Sequence, residues 1–245
     1  SKEVHAEIWK IDYEKALEMP GVETVITSED VPGEDRFGVY YHDQPVLAKG
    51  KIRFYGEPVV AIVAETLEDA EEAEKGVEIT YKKLPVVSNI QEAIECKAVL
   101  HEDHPDNIVS TTCVQKGNVE EGFKSSEIII EKDFSTQAVD HAYLETEAGI
   151  SYCDPDGTIV VKSCDQDITH HRVLLAKILG MPINKVRVIM SPVGGGFGGK
   201  EDMIYQAILA IATLKTNQPV KLVFSREDSM IGSCKRHPVT MHYKI

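Results

Sequence analysis

The sequence is poor in the features that mark nucleic-acid-binding, membrane and secreted proteins. Its 26 lysine and arginine residues stand against 40 aspartate and glutamate residues, so the formal net charge is 26 − 40 = −14. Binding to nucleic acid or anionic lipid relies on basic side chains that displace counterions, and the acidic balance argues against both. No run approaches the roughly 18 apolar residues of a membrane span, and the opening SKEVHAEIWKID lacks the apolar core of a signal peptide. We therefore expect a cytoplasmic location.

Cysteine is also scarce, and its spacing suggests no metal site. The five cysteines are an odd number, and no two lie closer than 11 residues. Zinc and iron–sulfur sites usually place their ligands in CxxC-like pairs, and disulfide scaffolds are smaller and denser in cysteine. We expect reduced thiols, most of them buried. The residues are Cys96, Cys113, Cys153, Cys164 and Cys234.

The residues that are abundant describe an ordinary globular protein. Hydrophobic residues make up 42% and charged residues 27% of the 245 positions, which allows a normal apolar core. At roughly 150 residues per domain, this length predicts one large or two modest domains.

A strand–helix–strand unit is predicted in the first third of the chain. Glu57–Ala64 (EPVVAIVA) is a nearly continuous apolar run, typical of a short strand buried on both faces. Thr66 and Asp69 resemble a capping box that begins a helix, and Val77–Tyr81 (VEITY) is a further strand. Residues 28–44 are polar without a sustained period, which predicts a long surface loop.

The second half mixes strands and helices around a glycine-rich segment, which gives an α+β fold class. A helix is predicted over residues 167–179, and a strand follows at Lys185–Met190. After the glycines, Met203–Leu214 (MIYQAILAIATL) predicts an apolar helix. Further strands are predicted at Glu127–Phe134, Ala148–Tyr152, Thr158–Ser163, Val220–Phe224 and Val239–Ile245.

The polar stretch 86–107 predicts a linker between a domain of residues 1–85 and a second of residues 108–245, because no period survives there. Its HEDH sequence, His101–His104, contains metal-ligand residue types but adjoins Pro105. We expect a solvated loop there.

Five glycines occupy the six positions of Gly194–Gly199, interrupted only by Phe197, between the predicted strand and the predicted helix. Glycine at this density lets backbone amides approach a ligand, and the N-terminus of a following helix would add partial positive charge. The segment is therefore predicted to cradle an anion, most naturally a phosphate or pyrophosphate. A purely structural loop is the alternative, although glycine costs stability that a plain turn does not need.

Two nucleotide-binding patterns fit this loop only superficially. A GxGxxG spacing begins at Gly194, and the same residues followed by Lys200 satisfy GxxxxGK. The P-loop needs a serine or threonine after its lysine, but Glu201 stands there. The dinucleotide fingerprint expects an acidic residue about 20 positions further on, whereas Glu227 lies 28 beyond Gly199. A nucleotide-binding module stays open as the alternative.

The loop resembles more closely the molybdopterin-binding segment of the molybdenum hydroxylase family, the xanthine dehydrogenase and aldehyde oxidase group. The resembling residues are GGGFGGKE at Gly194–Glu201. Tyr55–Thr66 (YGEPVVAIVAET) is similar to the signature of the family's hammerhead domain, and Asp140–Gly149 (DHAYLETEAG) is similar to the segment that opens the first cofactor domain. Arg236–Ile245 (RHPVTMHYKI) resembles the strand that follows. The four motifs come in family order and span nearly the whole chain.

This resemblance implies an α/β hammerhead-like domain followed by the first part of a molybdenum-cofactor-binding domain. It also implies a molybdenum–molybdopterin cofactor, and oxidative hydroxylation of purines, other N-heterocycles or aldehydes with oxygen from water. Gln166 and five loop residues are implied to contact the cofactor. The loop residues are Gly195, Gly196, Phe197, Gly198 and Gly199. For Gln166, a helix-capping or core role is the alternative.

Glu201 is implied to bind the substrate. A carboxylate can accept a hydrogen bond from a ring N–H and stabilise charge that redistributes in the transition state. The alternative is an exposed glutamate in the first turn of a helix, where the dipole favours a negative charge.

The sequence departs from the family pattern at Val139. The family often has a glutamine before its acidic residue and histidine, whereas Val139 precedes Asp140 and His141. Gln137 would lie roughly 7 Å along a strand from that position, so we assign it no role. We expect His141 to be structural.

The resemblance implies a fragment that is inactive alone. The catalytic glutamate of the family lies in a second cofactor domain, and no residue here can stand for it. No catalytic or metal-ligating residue is therefore assigned. The implied partners are the remaining cofactor domain, iron–sulfur and FAD domains or subunits, and a small-molecule substrate.

Overall fold

The computed structural model describes Ser1–Ile245 and contains seven α-helices and thirteen strands, which confirms the α+β class. The elements in chain order are β1 Ala6–Asp12, α1 Glu14–Leu17, β2 Val22–Ile26, β3 Arg36–Phe37, β4 Gln44–Pro45, β5 Lys51–Ile52, β6 Ala61–Ala64, α2 Leu67–Glu74, β7 Glu78–Lys83, α3 Ile90–Ile94, α4 Val119–Ser125, β8 Glu131–Thr136, β9 Ala148–Cys153, β10 Ile159–Ser163, α5 Ile168–Ile178, β11 Val186–Met190, α6 Gln206–Thr216, β12 Val220–Val223, α7 Arg226–Gly232 and β13 Val239–Lys244.

The chain forms two compact units. The first contains residues 1–86 and 142–234, and the second contains residues 87–141 and 235–245. The predicted domain limits at residues 85 and 108 stay a prediction. The first compact unit contains residues from both predicted domains, so these units do not test the limits.

The first unit is built on a four-stranded sheet in the order β11-β10-β9-β12. Strands β10 and β11 are parallel and the other pairs are antiparallel. Helix α5 packs on β11, and the largely buried α6 packs on β9 and β10. A tight turn joins β9 and β10, where the Asp154 amide donates to the Thr158 carbonyl at 2.8 Å. This sheet and its two helices hold the glycine-rich segment.

Residues 28–44 lie at the surface, as the sequence predicts, but they are also docked on helix α5. The amides of Gly33 and Glu34 donate to the carbonyls of Ile178 and Lys177 at 2.8 and 3.0 Å. A helix leaves its last carbonyls without intrahelical partners, and here the loop satisfies two of them. The side chain of Phe37 is buried in the same core. The docking is not predictable from the polar sequence, because the hydrogen bonds that form it are made by backbone groups.

The first 86 residues also form a three-stranded antiparallel sheet in the order β5-β1-β7, and a ribbon of β2 and β6. The predicted strand over residues 57–64 is wrong in length and burial, because β6 covers only Ala61–Ala64 and is half-buried. Thr66 caps α2 by accepting from the Asp69 amide at 3.1 Å. The reciprocal half of the capping box is replaced by a bond from the Thr66 hydroxyl to the Asp69 carboxylate at 2.6 Å.

The second unit is organised around an antiparallel ribbon of β8 and β13. One face is apolar, where the ring of Phe134 meets the ring of Tyr243 edge-on at 5.8 Å between centroids. The other face is charged, and His242 lies 3.1 Å from Glu131 and 2.8 Å from Asp133. Alternation of apolar and charged residues along both strands produces these two faces.

The expectation that most cysteines are buried is wrong. Cys164 is buried, but Cys96, Cys113 and Cys153 are exposed, because they lie in turns, in a loop or at a strand end. None of the five cysteines forms a disulfide bond.

None of the seven helices combines the length and the apolar character needed to cross a bilayer. The cytoplasmic location stays a prediction.

The docking of Gly33 leads to a stability prediction. A Cβ atom at residue 33 would lie 2.1 Å from the Lys177 carbonyl oxygen and 2.7 Å from the Gly180 amide nitrogen, both of them backbone atoms. We expect Gly33→Ala to lower the free energy of unfolding by about 1–3 kcal/mol, because the loop must move off α5. Urea denaturation measures the change. Gly122→Ala in α4 is the matched control, since no atom lies within 4 Å of its added Cβ. The control should be neutral or slightly stabilising, and an unchanged midpoint for Gly33→Ala would contradict the docking.

Candidate functional site

The glycine-rich segment runs from the end of β11 to the start of α6. Helix α6 begins at Gln206, three residues later than predicted and five residues beyond Glu201. The expectation that a helix N-terminus adjoins the glycines is therefore wrong. The alternative for Glu201, a place in the first turn of a helix, is wrong for the same reason.

The late start of α6 has a local cause. The side-chain oxygen of Gln206 accepts hydrogen bonds from the amides of Ile204 and Tyr205 at 2.9 and 3.0 Å. These two amides are thereby drawn into a non-helical turn. Sequence periodicity does not reveal this turn, because the apolar residues before it follow the helical pattern.

The first three glycines are required by the side chains beneath them. A Cβ atom at these positions would lie between 2.3 and 3.1 Å from an atom of a neighbouring residue. The pairs are Gly194 with Glu145 at 2.7 Å, Gly195 with Tyr143 at 3.1 Å, and Gly196 with Gln166 at 2.3 Å. The glycines therefore let the loop lie directly on three side chains, which we call the loop floor.

Gln166 of the loop floor binds the C-terminal part of the loop. Its side-chain oxygen accepts hydrogen bonds from the amides of Gly198 and Lys200, each at 3.1 Å. The neighbouring Asp167 caps α5 by accepting from the His170 amide at 3.0 Å. Gln166 is exposed, so neither alternative considered for it, a helix cap or a core residue, is correct. Its side-chain NH₂ group forms no hydrogen bond within the protein.

Glu145, a half-buried residue, holds the start of the loop through an ion pair with the buried Lys200. One of its carboxylate oxygens accepts from the Gly194 amide and from the Lys200 ammonium group, both at 2.8 Å. Lys200 is only 2% exposed, and its Nζ lies 4.7 Å from the centre of the Tyr143 ring. Burial by itself raises the pKa of Glu145, but Lys200 and the Gly194 amide outweigh burial and hold that pKa below its ordinary value. Glu145 and Gln166 thus fix both the beginning and the end of the loop.

The tip of the loop is the part without internal partners. The Gly199 amide donates to the Gly196 carbonyl at 2.8 Å and the Glu201 amide to the Gly198 carbonyl at 3.3 Å. The amides of the three tip residues, Gly195, Gly196 and Phe197, have no acceptor within the protein. The Phe197 ring is 74% exposed, and its backbone has a φ of 55°. Gly196 is buried, whereas Gly195 is half-buried and Phe197 is exposed. Unpaired backbone donors beside an exposed ring are suited to a flat group rich in hydrogen-bond acceptors.

A buried polar cluster lies behind Glu201. His171 of α5 and Asp165 are both 0% exposed. The His171 Nε2 lies 2.8 Å from the Glu201 carbonyl oxygen, and its Nδ1 lies 3.4 Å from an Asp165 oxygen. The side chain of Glu201 itself is exposed and forms no hydrogen bond or ion pair.

Six of these residues were not assigned a role from the sequence: Tyr143, Glu145, Asp165, His171, Lys200 and Gln206. For His171 a signal existed, because it shares a helix face with Leu174, Leu175 and Ile178 and so had to be buried. For Glu145 and Lys200, 55 residues apart, no local pattern points to the pair.

Val139 lies in the second unit, where it pairs with Arg236 in an isolated antiparallel bridge. Its side chain is 43% exposed. No strand continues through Gln137, because β8 ends at Thr136.

Comparison with known families matches the two parts of the chain separately. The model of the molybdopterin cofactor-binding domain matches residues 100–245. The model of the aldehyde oxidase and xanthine dehydrogenase a/b hammerhead domain matches residues 1–85.

Similar proteins are larger than this chain. A probable xanthine dehydrogenase subunit of Bacillus subtilis is 38% identical over 241 residues, which cover 98% of this chain and 32% of that protein. The nicotinate dehydrogenase large molybdopterin subunit of Eubacterium barkeri is 37% identical over 241 residues, which cover 98% of this chain and 56% of that protein. The chain therefore spans about a third to somewhat more than half of these relatives.

A solved structure has the same fold as this chain. The aldehyde oxidoreductase of Desulfovibrio gigas superposes with a TM-score of 0.93 at 27% sequence identity, over 100% of this chain and 28% of that chain. The hammerhead and cofactor-domain matches confirm the resemblance inferred from the four motifs. The chain belongs to the molybdenum hydroxylase family, the group of xanthine dehydrogenase and aldehyde oxidase.

Proposed function

We propose that this chain forms the pterin-binding wall of a molybdenum hydroxylase and supplies one residue of its substrate pocket. The observation that carries the proposal is the loop tip, where the amides of Gly195, Gly196 and Phe197 are free. In a chain whose second part matches the molybdopterin cofactor-binding domain, these donors are the natural partners of the cofactor.

The residues present fit such a cofactor. A pterin with its phosphate offers acceptor oxygens and nitrogens, and the tip offers three backbone donors that a side chain at residue 196 would disturb. The NH₂ group of Gln166 is a fourth donor, and the exposed Phe197 ring adds an apolar surface. Gly198 and Gly199, whose amides are engaged, contribute close backbone approach. When bound, the group accepts two electrons from the substrate carbon, to which oxygen from water is added.

The nucleotide-binding alternative has no support. A GxGxxG loop places phosphates at the N-terminus of the helix that follows it directly, but α6 begins only at Gln206. A P-loop lysine must reach the phosphates, whereas the Lys200 ammonium group is sealed against Glu145 and Tyr143.

For the substrate we propose a purine or another N-heterocycle, with an aldehyde as the alternative. Two relatives are named for xanthine and nicotinate, and both of these are nitrogen heterocycles. Glu201 presents a free carboxylate on the segment that follows the loop. A carboxylate accepts hydrogen bonds from ring N–H groups, and it stabilises positive charge that develops on the ring.

The activity needs further domains. We propose that the rest of the enzyme supplies the second cofactor domain with its catalytic glutamate, together with iron–sulfur and FAD domains or subunits. Because the chain spans 32% to 56% of its two bacterial relatives, we expect no turnover from this chain alone.

Cofactor binding is tested at Gln166 in the full-length enzyme. Gln166→Leu removes both the acceptor for two loop amides and the NH₂ donor, so we expect a large loss of bound molybdenum. Gln166→Glu keeps an acceptor oxygen and removes only the donor, and we expect an intermediate loss. Elemental analysis of the purified protein measures both. Full molybdenum content in Gln166→Leu would contradict the proposed contact.

Substrate binding is tested at Glu201. We expect Glu201→Ala in the full-length enzyme to lower kcat/KM for an N-heterocycle by roughly a hundredfold, the scale for losing one preorganised charge-stabilising group. Molybdenum content should not change. Glu68→Ala on the exposed face of α2 is the matched control and should leave turnover unchanged. Equal turnover of the two variants would remove Glu201 from the pocket, and loss confined to aldehydes would identify an aldehyde substrate.

A further inference from the structure

His171 is a buried polar residue that the proposed chemistry does not use. It lies on α5, is 0% exposed, and places its Nε2 2.8 Å from the Glu201 carbonyl oxygen. A carbonyl oxygen can only accept, so the proton of this hydrogen bond must lie on Nε2. The histidine is thus a donor directed at the peptide of one particular residue.

The other side of the His171 ring faces Asp165. The Nδ1 atom lies 3.4 Å from an Asp165 carboxylate oxygen, which is an ion-pair distance longer than a good hydrogen bond. That oxygen also accepts from the Ser163 hydroxyl at 2.5 Å. Burial alone lowers the pKa of His171, but Asp165 and the Glu201 carbonyl outweigh it and raise that pKa above its ordinary value. The ring therefore forms a hydrogen bond to the Glu201 carbonyl through Nε2, and its Nδ1 faces the Asp165 carboxylate at ion-pair distance without a hydrogen bond.

Asp165 also connects to a second clamp on the same segment. The side-chain NH₂ of Gln206 donates to the other oxygen of Asp165. The side-chain oxygen of Gln206 accepts from the amides of Ile204 and Tyr205. The backbone of residues 201–205 is therefore held at its beginning by His171 and at its end by Gln206, and Asp165 joins the two holders.

A buried histidine can also be ordinary core packing, and the chain contains such a case. His5 is 4% exposed, and its Nδ1 lies 2.6 Å from the Pro85 carbonyl oxygen. The burial and the type of acceptor match those of His171. The difference is that the peptide held by His171 bears the exposed carboxylate of Glu201.

We propose that His171 is a positioning residue for Glu201: by holding the Glu201 peptide, it directs the carboxylate into the substrate pocket, and Asp165 in turn orients His171. This inference rests on the proposed role of Glu201 in substrate binding. It extends the functional site from the loop to α5.

The first test compares three variants of the full-length enzyme. His171→Phe removes the donor, and we expect kcat/KM for an N-heterocycle to fall by roughly ten- to a hundredfold, the scale for misplacing a group near the reacting atoms. His171→Gln should retain most turnover, because its amide nitrogen lies near the position of Nε2. His5→Phe, the matched control, should leave turnover unchanged. Equal loss in His171→Phe and His5→Phe, or none in either, would overturn the proposal.

Two variants with amide side chains keep the proposal testable if His171→Phe misfolds. If His171→Phe does not fold, His171→Asn and His171→Gln replace it, because asparagine places its amide near Nδ1 and glutamine places its amide near Nε2. Only the glutamine can reach the Glu201 carbonyl. We expect the glutamine variant to exceed the asparagine variant at least severalfold in kcat/KM, and equal turnover would overturn the proposal.

A double variant separates positioning from a general structural effect. If His171 acts through Glu201, then His171→Phe should reduce turnover by no more than about twofold in the Glu201→Ala background. A full additional loss would overturn the inference alone. Unchanged turnover in Glu201→Ala would instead refute the proposed function, so the two failures are distinguishable.

A readout without turnover comes from hydrogen exchange on the cofactor-free full-length protein. We expect the amides of residues 201–205 to exchange faster in His171→Phe and at the normal rate in His171→Gln and His5→Phe. Normal exchange in His171→Phe would show that the segment is held without His171, and it would overturn the proposal.

Discussion

The buried ammonium group of Lys200 is the constraint on which the rest of the site depends. Withdrawing an ammonium group from water costs several kcal/mol unless a counter-charge accompanies it. Glu145 provides that charge, and the same carboxylate oxygen binds the amide of Gly194. The Tyr143 ring covers the ammonium group from a further side. Because this pair can form only when the loop lies on its floor, one electrostatic requirement specifies the shape of the whole segment.

The same pairing would allow an acidic chain to bind the anionic group that we propose. With Lys200 neutralised by Glu145, the loop presents uncharged backbone donors. A net charge of −14 is therefore compatible with phosphate binding, because the donors are fixed dipoles and long-range attraction by lysine is not required. A lysine-based phosphate site would have the opposite design, with its ammonium group free to reach the ligand.

Much of the fold is predictable where the determining interactions are local. Helix α5 is an example, since Asp167 caps it and apolar residues repeat at helical spacing along it. The start of α6 is not predictable, because it depends on Gln206, whose side chain binds Asp165 from 41 residues away. The docking of residues 28–44 on α5 is not predictable for a related reason. The contact uses backbone groups that every sequence possesses.

The candidate site divides in the same way. The glycine-rich segment and Glu201 are visible in the sequence because spacing and residue type define them. Of the loop floor, only Gln166 is assigned a role, through the family resemblance, whereas Glu145 and Tyr143 have no distinctive pattern that points to theirs. The sequence suggests that glycine makes room for a ligand, whereas three of the glycines make room for side chains of the protein itself.

The contacts between the loop floor and the loop join residues that are far apart in the sequence, and this separation affects when they form during folding. Glu145 binds groups 49 and 55 residues further along the chain, and Gln166 binds groups 32 and 34 residues further along. Closing contacts over such distances costs chain entropy and comes late in folding. A partly folded chain therefore cannot present the three tip amides together. If the cofactor binds at this loop as proposed, we expect its loading to follow folding of the chain.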